Sequence, residues 1–440
     1  MPVVSPLTDP SLTIIFAISP TGLGHLRVTK ALYRGLPRNA APVLLGAQDP
    51  SVSEAYRFVS NNPLSRKIME ILQTPPLDVL LARIGSRVLR SETTVIHDQL
   101  KTILDERMFD AQKVLLVAPH TILGHKLGEI KKKMAKELGI SILLVVQVTD
   151  DSPQPIWYVP DADLIVVPSH YTKDHLLSFA RRADLPIAPV VVAAYPVSPI
   201  LAEDMSAHSF KMRLKQADPS LHIPIHLSIP ISGAAVGTLF SSLYINNLHQ
   251  LSERFVFSIV AREANYTKPF IFPLSQLPYV TMYTSVHDRT IVDSYEHLFK
   301  EYPIAIEVTK PSEQAFKALI TPKQKGGVIL LLSRPVGKQE YDNLNFLRHH
   351  GLMPTTTENH RLWELAAKKE TIHGSDLLAK AHHWRAIRLP DDPIAASAFT
   401  MWCLQEKIFS NMMHYVKAQA SEELQSNGVE QFWNQVTKLL

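Results

Sequence analysis

His25 ends the stretch TGLGH (21–25), which follows the apolar run LTIIFAI (12–18) and precedes LRVTKALYRGL (26–36). Gly22 and Gly24 permit a tight turn and close backbone approach. Such a turn can aim N–H groups at an anion or a polar substrate. An imidazole there titrates near neutrality and suits proton removal from a hydroxyl, or alignment of one. The stretch lacks the third glycine of a dinucleotide fingerprint and the G-K-[ST] of a phosphate loop.

Further candidates stand where apolar runs end. PHT (119–121) supplies His120, a site residue or a core residue. VTDDSPQPIWY (148–158) supplies Asp150 and Asp151, which can polarise His25 or hold a substrate hydroxyl. Trp157 and Tyr158 suit stacking on a ring or burial against a sheet. In the second half, PISG (230–233) brings Ser232 and Gly233, and Arg262 follows the run SIVA. RPVGKQEYDN (334–343) gathers Lys338, Gln339, Glu340 and Asn343 at a helix start. Carboxamides can clasp hydroxyls from both ends, and Arg334, Lys338 and Arg262 can meet phosphate charge. No H-E-x-x-H or G-x-S-x-G pattern occurs in the chain, so the reading includes no metal and no serine-hydrolase elbow.

Strands alternating with helices must position these groups. KVLLVAPHT, SILLVVQVTD, ADLIVVPSH and APVVVAAYP are continuous apolar runs with helical sequence between them, as in a parallel sheet covered on both faces. Polar residues interrupt this rhythm at 201–224, and it restarts with IHLSIP, RFVFSIVA, PYVTMYTSV, PIAIEVTK and GGVILLLSRP. SEQAFKALIT (312–321) reads as a helix with Ser312 as its cap. The expectation is an α/β protein of two Rossmann-like domains facing a cleft. It assigns 1–215 to an N-terminal acceptor-side domain, 216–390 to a donor domain, and 391–440 to helices bracing the joint. Residues 75–91 can form an amphipathic helix with Arg83, Arg87 and Arg90 off its apolar stripe.

At 440 residues with 46% hydrophobic content, the chain can bury real cores. A formal charge of +4 is small for this length, and KKKMAK (131–136) reads as a solvated helix face, so no nucleic-acid partner is expected. One cysteine, Cys403, excludes an intrachain disulfide. The uncharged stretches 185–202 and 222–251 are broken by prolines, and neither suits a spanning helix. These features lead to the expectation of a cytoplasmic protein with peripheral membrane contact.

The order of SPTGLGH (19–25), VVQVTD (145–150), Trp157, DADLIVVPS (161–169), YPVSP (195–199), TKPSEQAFKAL (309–319) and RPVGKQEYDN (334–343) resembles the two-domain GT-B glycosyltransferases. It is most similar to the branch of monogalactosyldiacylglycerol synthase, processive diacylglycerol glucosyltransferases and the peptidoglycan-precursor N-acetylglucosaminyltransferase. The resemblance covers about residues 12–355. It implies an inverting, metal-independent transfer from a nucleoside-diphosphate sugar, UDP-linked, to a lipid-borne or glycan hydroxyl, with no cofactor. It also implies His25 and Asp150 in catalysis, and Gly22, Gly24, His120 and Trp157 toward the acceptor. The donor would meet Ser232, Gly233, Arg262, Ser312, Glu313 (toward the ribose), Lys338, Gln339, Glu340 and Asn343. The chain departs from that pattern where a second glycine-rich loop is expected, since it has Lys310-Pro311-Ser312, and Pro311 offers no N–H. The alternatives are a non-catalytic GT-B-like protein binding a nucleotide, glycan or partner, and a nucleotide-sugar epimerase or hydrolase.

Overall fold

A computed structural model describes residues 6–18, 23–46, 93–107, 112–233, 235–335, 337–417 and 420–440. The amphipathic reading of 75–91 and the site residue Gly22 lie outside them. The chain divides into two compact units, Met1–Pro199 with Glu422–Leu440, and Ile200–Ser421. Residues 200–215 and 391–421 therefore group with the second unit, and 422–440 with the first.

In the first unit β1 (Leu12–Ile18), α1 (Leu23–Arg34), β2 (Val43–Gly46), α2 (Thr94–Arg107), β3 (Lys113–Ala118), α3 (Thr121–Leu138), β4 (Ser141–Gln147), β5 (Leu164–Val167), α4 (His170–Arg182) and β6 (Val190–Val192) follow one another. The strands form a sheet in the order β2-β1-β3-β4-β5-β6, and every pairing is parallel. Strands β3 to β5 are buried nearly throughout, which is why they read as unbroken apolar runs rather than alternating ones. Side-chain caps set the helix starts, with Ser169 accepting from Thr172 N on α4.

The second unit contains α5 (Ala207–Gln216), β7 (Ile225–Pro230), α6 (Thr238–Leu251), β8 (Phe255–Arg262), α7 (Lys268–Ser275), β9 (Val280–Ser285), α8 (Asp288–Glu301) and β10 (Ile306–Thr309). A 3-10 helix (Glu313–Leu319), β11 (Val328–Leu331), α9 (Lys338–His349), α10 (Thr356–Lys368), α11 (Asp376–Lys380), β12 (Ala386–Arg388), α12 (Pro393–Gln405) and α13 (Ile408–Met413) complete it. Its sheet runs β12-β11-β10-β7-β8-β9, again parallel throughout. The protein is α/β, with two Rossmann-like units. In each sheet the strand order reverses beside the first strand, and the loops at the strands' carboxyl ends next to that reversal are where open α/β sheets hold ligands.

Two local readings change. The 201–224 stretch, read as a joint, contains α5, and Arg213 on that helix is fully buried. Its Nη1 donates to the carbonyls of Pro322 (2.7 Å) and Gln324 (2.6 Å), so a polar residue serves as a core strut. Residues 313–319 form a 3-10 helix rather than an α-helix, and Ser312 makes no side-chain cap bond. All of its residues after Glu313 are buried, and Lys317 is ion-paired with Glu307 of β10. Tertiary contacts on every side, rather than helical periodicity, fix this turn.

The last helix, α14 (Gly428–Val436), packs on the first unit. Trp433 Nε1 donates to Leu32 O (2.9 Å), and Gln431 accepts from Ala194 N (2.8 Å). A Cβ at Gly428 would lie 2.2 Å from Ala194 O, so only glycine permits this approach. Among the described residues, no helix is long and apolar enough to cross a membrane.

Candidate functional site

Adjacent strands bring their loops together. Because β1, β3 and β4 are neighbours in the first sheet, the segments after them share one edge: His25 after β1, Pro119 and His120 after β3, Thr149 and Asp150 after β4. His25 lies in the first turn of α1, half-buried, and its backbone carbonyl accepts from Thr29 Oγ1 (2.8 Å). Its Nδ1 is 2.8 Å from Pro119 O. A carbonyl only accepts, so Nδ1 carries the proton of the neutral ring and Nε2 holds the basic lone pair. Thr149 Oγ1 stands 3.3 Å from the same Nδ1, and Tyr195 OH, donating to Thr149 O (3.1 Å), steadies that strand end.

The His120 ring meets His25 edge-on, with centroids 4.6 Å apart. It is buried, and as the N-cap of α3 its side chain accepts from Leu123 N. Burial first, and then the neighbouring His25, hold its pKa well below the ordinary 6.5. His120 is thus a core residue by environment, lying beside His25.

Trp157 is buried in the 3-10 turn Pro155–Trp157, its ring 6.4 Å from that of His25. The two adjacent acids differ in setting. Asp151 is buried and accepts from Ser169 Oγ and from Thr172 Oγ1 (2.7 Å), anchoring the start of α4. Asp150 is half-buried at the bend after β4. Gly24 lies inside the first turn of α1.

In the second sheet β11, β10, β7 and β8 are consecutive, so their loops line one edge. After β7, Ser232 Oγ accepts from Val236 N (3.3 Å) and Gly233 O from Tyr266 OH (2.9 Å), which shapes the turn. At the end of β8, Arg262 Nε is 3.3 Å from Asp288 Oδ1. Burial raises the Asp288 carboxyl while Arg262 draws it back down. After β10 come Lys310, Pro311, Ser312 and half-buried Glu313. After β11, α9 begins at Gly337 with no side-chain cap. Glu340 is buried and paired with Lys310 Nζ at 2.6 Å. Asn343, fully buried, donates to Pro311 O (3.2 Å). Lys338 Nζ pairs with Asp342 at 2.8 Å, and Arg334 with Asp391 at 3.1 Å. Gln339 and Glu313 keep partial exposure. Glu340 and Asn343 thereby tie α9 to the β10 loop that bears Glu313.

Two contributors escape a reading of residue types. Pro119 acts through its carbonyl, and Lys310 becomes notable only once β10 and β11 are neighbours. Among the described residues, no three or more His, Cys, Asp or Glu side chains gather in a metal-binding group.

No protein-family model and no curated protein matches the chain. Solved structures of similar form include a UDP-GlcNAc 2-epimerase from Neisseria meningitidis bound to UDP-GlcNAc. It is 13% identical, with a TM-score of 0.49, over 97% of this chain and 99% of that one. A Staphylococcus aureus MnaA–UDP co-structure is 12% identical, with a TM-score of 0.49, over 97% and 96%. MurG from Acinetobacter baumannii is 11% identical, with a TM-score of 0.43, over 97% and 99%. At these identities and TM-scores the likeness is one of overall form, and the fold rests on the two sheets themselves.

Proposed function

We propose that this protein is an inverting, metal-independent glycosyltransferase that moves a sugar from a nucleoside-diphosphate sugar, UDP-linked, to a hydroxyl of a lipid-borne acceptor. The observation that carries the reading is the His25 Nδ1 contact with Pro119 O (2.8 Å). It leaves Nε2 as the basic nitrogen of a neutral ring at the carboxyl edge of the first sheet. In the proposed step the acceptor O–H gives its proton to Nε2 while its oxygen bonds to the anomeric carbon. The bond from that carbon to the diphosphate breaks, and the nucleotide departs with the electron pair. The resulting imidazolium keeps its Nδ1–H bond to the carbonyl. His120, held neutral by burial, places no like charge beside it. The donor-side groups are Glu313, Gln339 and Lys338 at the carboxyl edge of the second sheet, with Ser232, Gly233, Ser312 and Arg262 along the same edge. Glu340 and Asn343 hold the loop bearing Glu313.

The test has two stages. Thermal shift with a panel of UDP- and GDP-sugars should stabilise the protein with at least one donor. With that donor, His25→Asn should lower kcat by about 10²- to 10⁴-fold, the usual worth of a general base, and leave donor affinity nearly unchanged. A panel without any shift at millimolar concentration would sink the reading. Full turnover per folded molecule in His25→Asn would remove His25 from it.

A further inference from the structure

The β10 loop is poorly supplied with backbone donors. Pro311 has no N–H, and the helix that follows is a 3-10 turn of 7 residues, too short to offer an α-helical dipole. Charge recognition at this loop therefore falls to side chains. The cations along this edge differ in setting. Arg334 pairs with Asp391 with side chains 80% and 51% exposed, a pair of little worth in water. Lys338 pairs with Asp342 one turn along its own helix. Lys310 differs: its side chain is 15% exposed and that of its partner Glu340 only 3%. A lysine and a carboxylate removed from water on two adjacent strand–helix units form a strong local charge pair. Lys310 retains enough exposure for its flexible stem to turn toward an incoming anion.

We infer that Lys310 is the residue that reads the diphosphate of the donor, passing from Glu340 to the phosphate oxygens on binding. This rests on the nucleotide-sugar reading above. Glu340 has a double effect in this arrangement. It holds the ammonium ready at the loop, and it competes with the phosphate for it. The site thus discriminates by charge: a nucleoside diphosphate compensates Lys310 as Glu340 does, whereas an uncharged nucleoside offers it nothing and leaves the pair intact.

Calorimetry with UDP and with uridine as probes separates the possibilities. The wild type should bind UDP more tightly than uridine. Lys310→Met should cut UDP affinity by about 10- to 100-fold, the loss of one partly desolvated charge contact, with uridine affinity unchanged. Glu340→Gln removes the competing charge and, with Asn343 still anchoring the loop, should raise the ratio of UDP to uridine affinity about threefold. Because Lys310→Met leaves Glu340 buried and unpaired, the double variant Lys310→Met/Glu340→Gln serves where the single one fails to fold, and it should show the same loss of preference for UDP. If Lys310→Met and the double variant keep the wild-type UDP-to-uridine ratio, or if Glu340→Gln weakens both ligands equally, Lys310 is a loop strut and the inference is overturned. If neither UDP nor uridine binds the wild type, the nucleotide reading itself fails, and this inference falls with it.

Discussion

At His120 an ordinary side chain becomes pH-responsive through placement alone. It accepts a hydrogen bond from Leu123 N as the cap of α3, so its Nδ1 must stay unprotonated in the folded chain. Burial and His25 lower its pKa from 6.5. An unfolded chain takes up a proton as pH falls through about 6.5, and the folded chain resists it. The sign follows: this group costs no stability above about pH 6.5, and below it the folded state loses up to about 1.4 kcal/mol per pH unit. Asn can also cap a helix and does not titrate. Urea unfolding of wild type and His120→Asn at pH 5, 6 and 7.5 should therefore give a shallower decline for the variant. Parallel declines would show that His120 does not titrate in this way. The same residue explains what sequence leaves open. An imidazole within PHT fits a core or a site equally well, and only the β1–β3 pairing shows that this buried ring also lies alongside His25.

Elements were legible to the extent that burial writes itself into composition. β3, β4 and β7 were read correctly from continuous apolar runs, because both faces of a parallel strand are covered. Glycine and proline punctuation located the turns. What failed was local: 313–319 has helical composition, yet it folds as a 3-10 turn because a buried network behind it dictates its path. Lys317 pairs with Glu307, and Tyr295 OH donates to Glu307 Oε2 (2.7 Å). These partners come from α8, β10 and the turn itself, a grouping invisible along the chain. The orientation of His25 was hidden for a similar reason, since a backbone carbonyl leaves no mark in composition. Glu307→Gln should leave Lys317 buried beside an uncharged amide and cost about 3–5 kcal/mol, measured by urea unfolding. Replacing both groups with neutral ones of similar volume, Glu307→Gln with Lys317→Met, should recover part of that loss. A single-variant cost below about 1 kcal/mol would mean the pair is not needed to hold the turn that presents Glu313.

For the molecule as a whole, continuity of chain separates the two units. The second, Ile200–Ser421, is one uninterrupted stretch, whereas the first needs Glu422–Leu440 in addition to Met1–Pro199. The returning segment is held by specific contacts: Glu423 accepts from His170 N (2.9 Å), and Trp433 lies edge-on to Phe16 with centroids 6.2 Å apart. Phe432, Trp433 and Val436 are buried, and removing one large core side chain typically costs about 3–5 kcal/mol. A chain ending at Ser421 should therefore lose much of the stability of its first unit. The second unit keeps its own core, with Phe255, Phe257 and Phe399 buried in it. Calorimetry of the full chain should resolve two transitions, of which UDP raises only the one belonging to the second unit. Truncation after Ser421 should lower the other transition, or abolish it, and leave the UDP-dependent one in place. Loss of both transitions together would show that the units do not fold independently. If UDP stabilised the transition that truncation removes, the nucleotide site would have to be sought on the first unit instead.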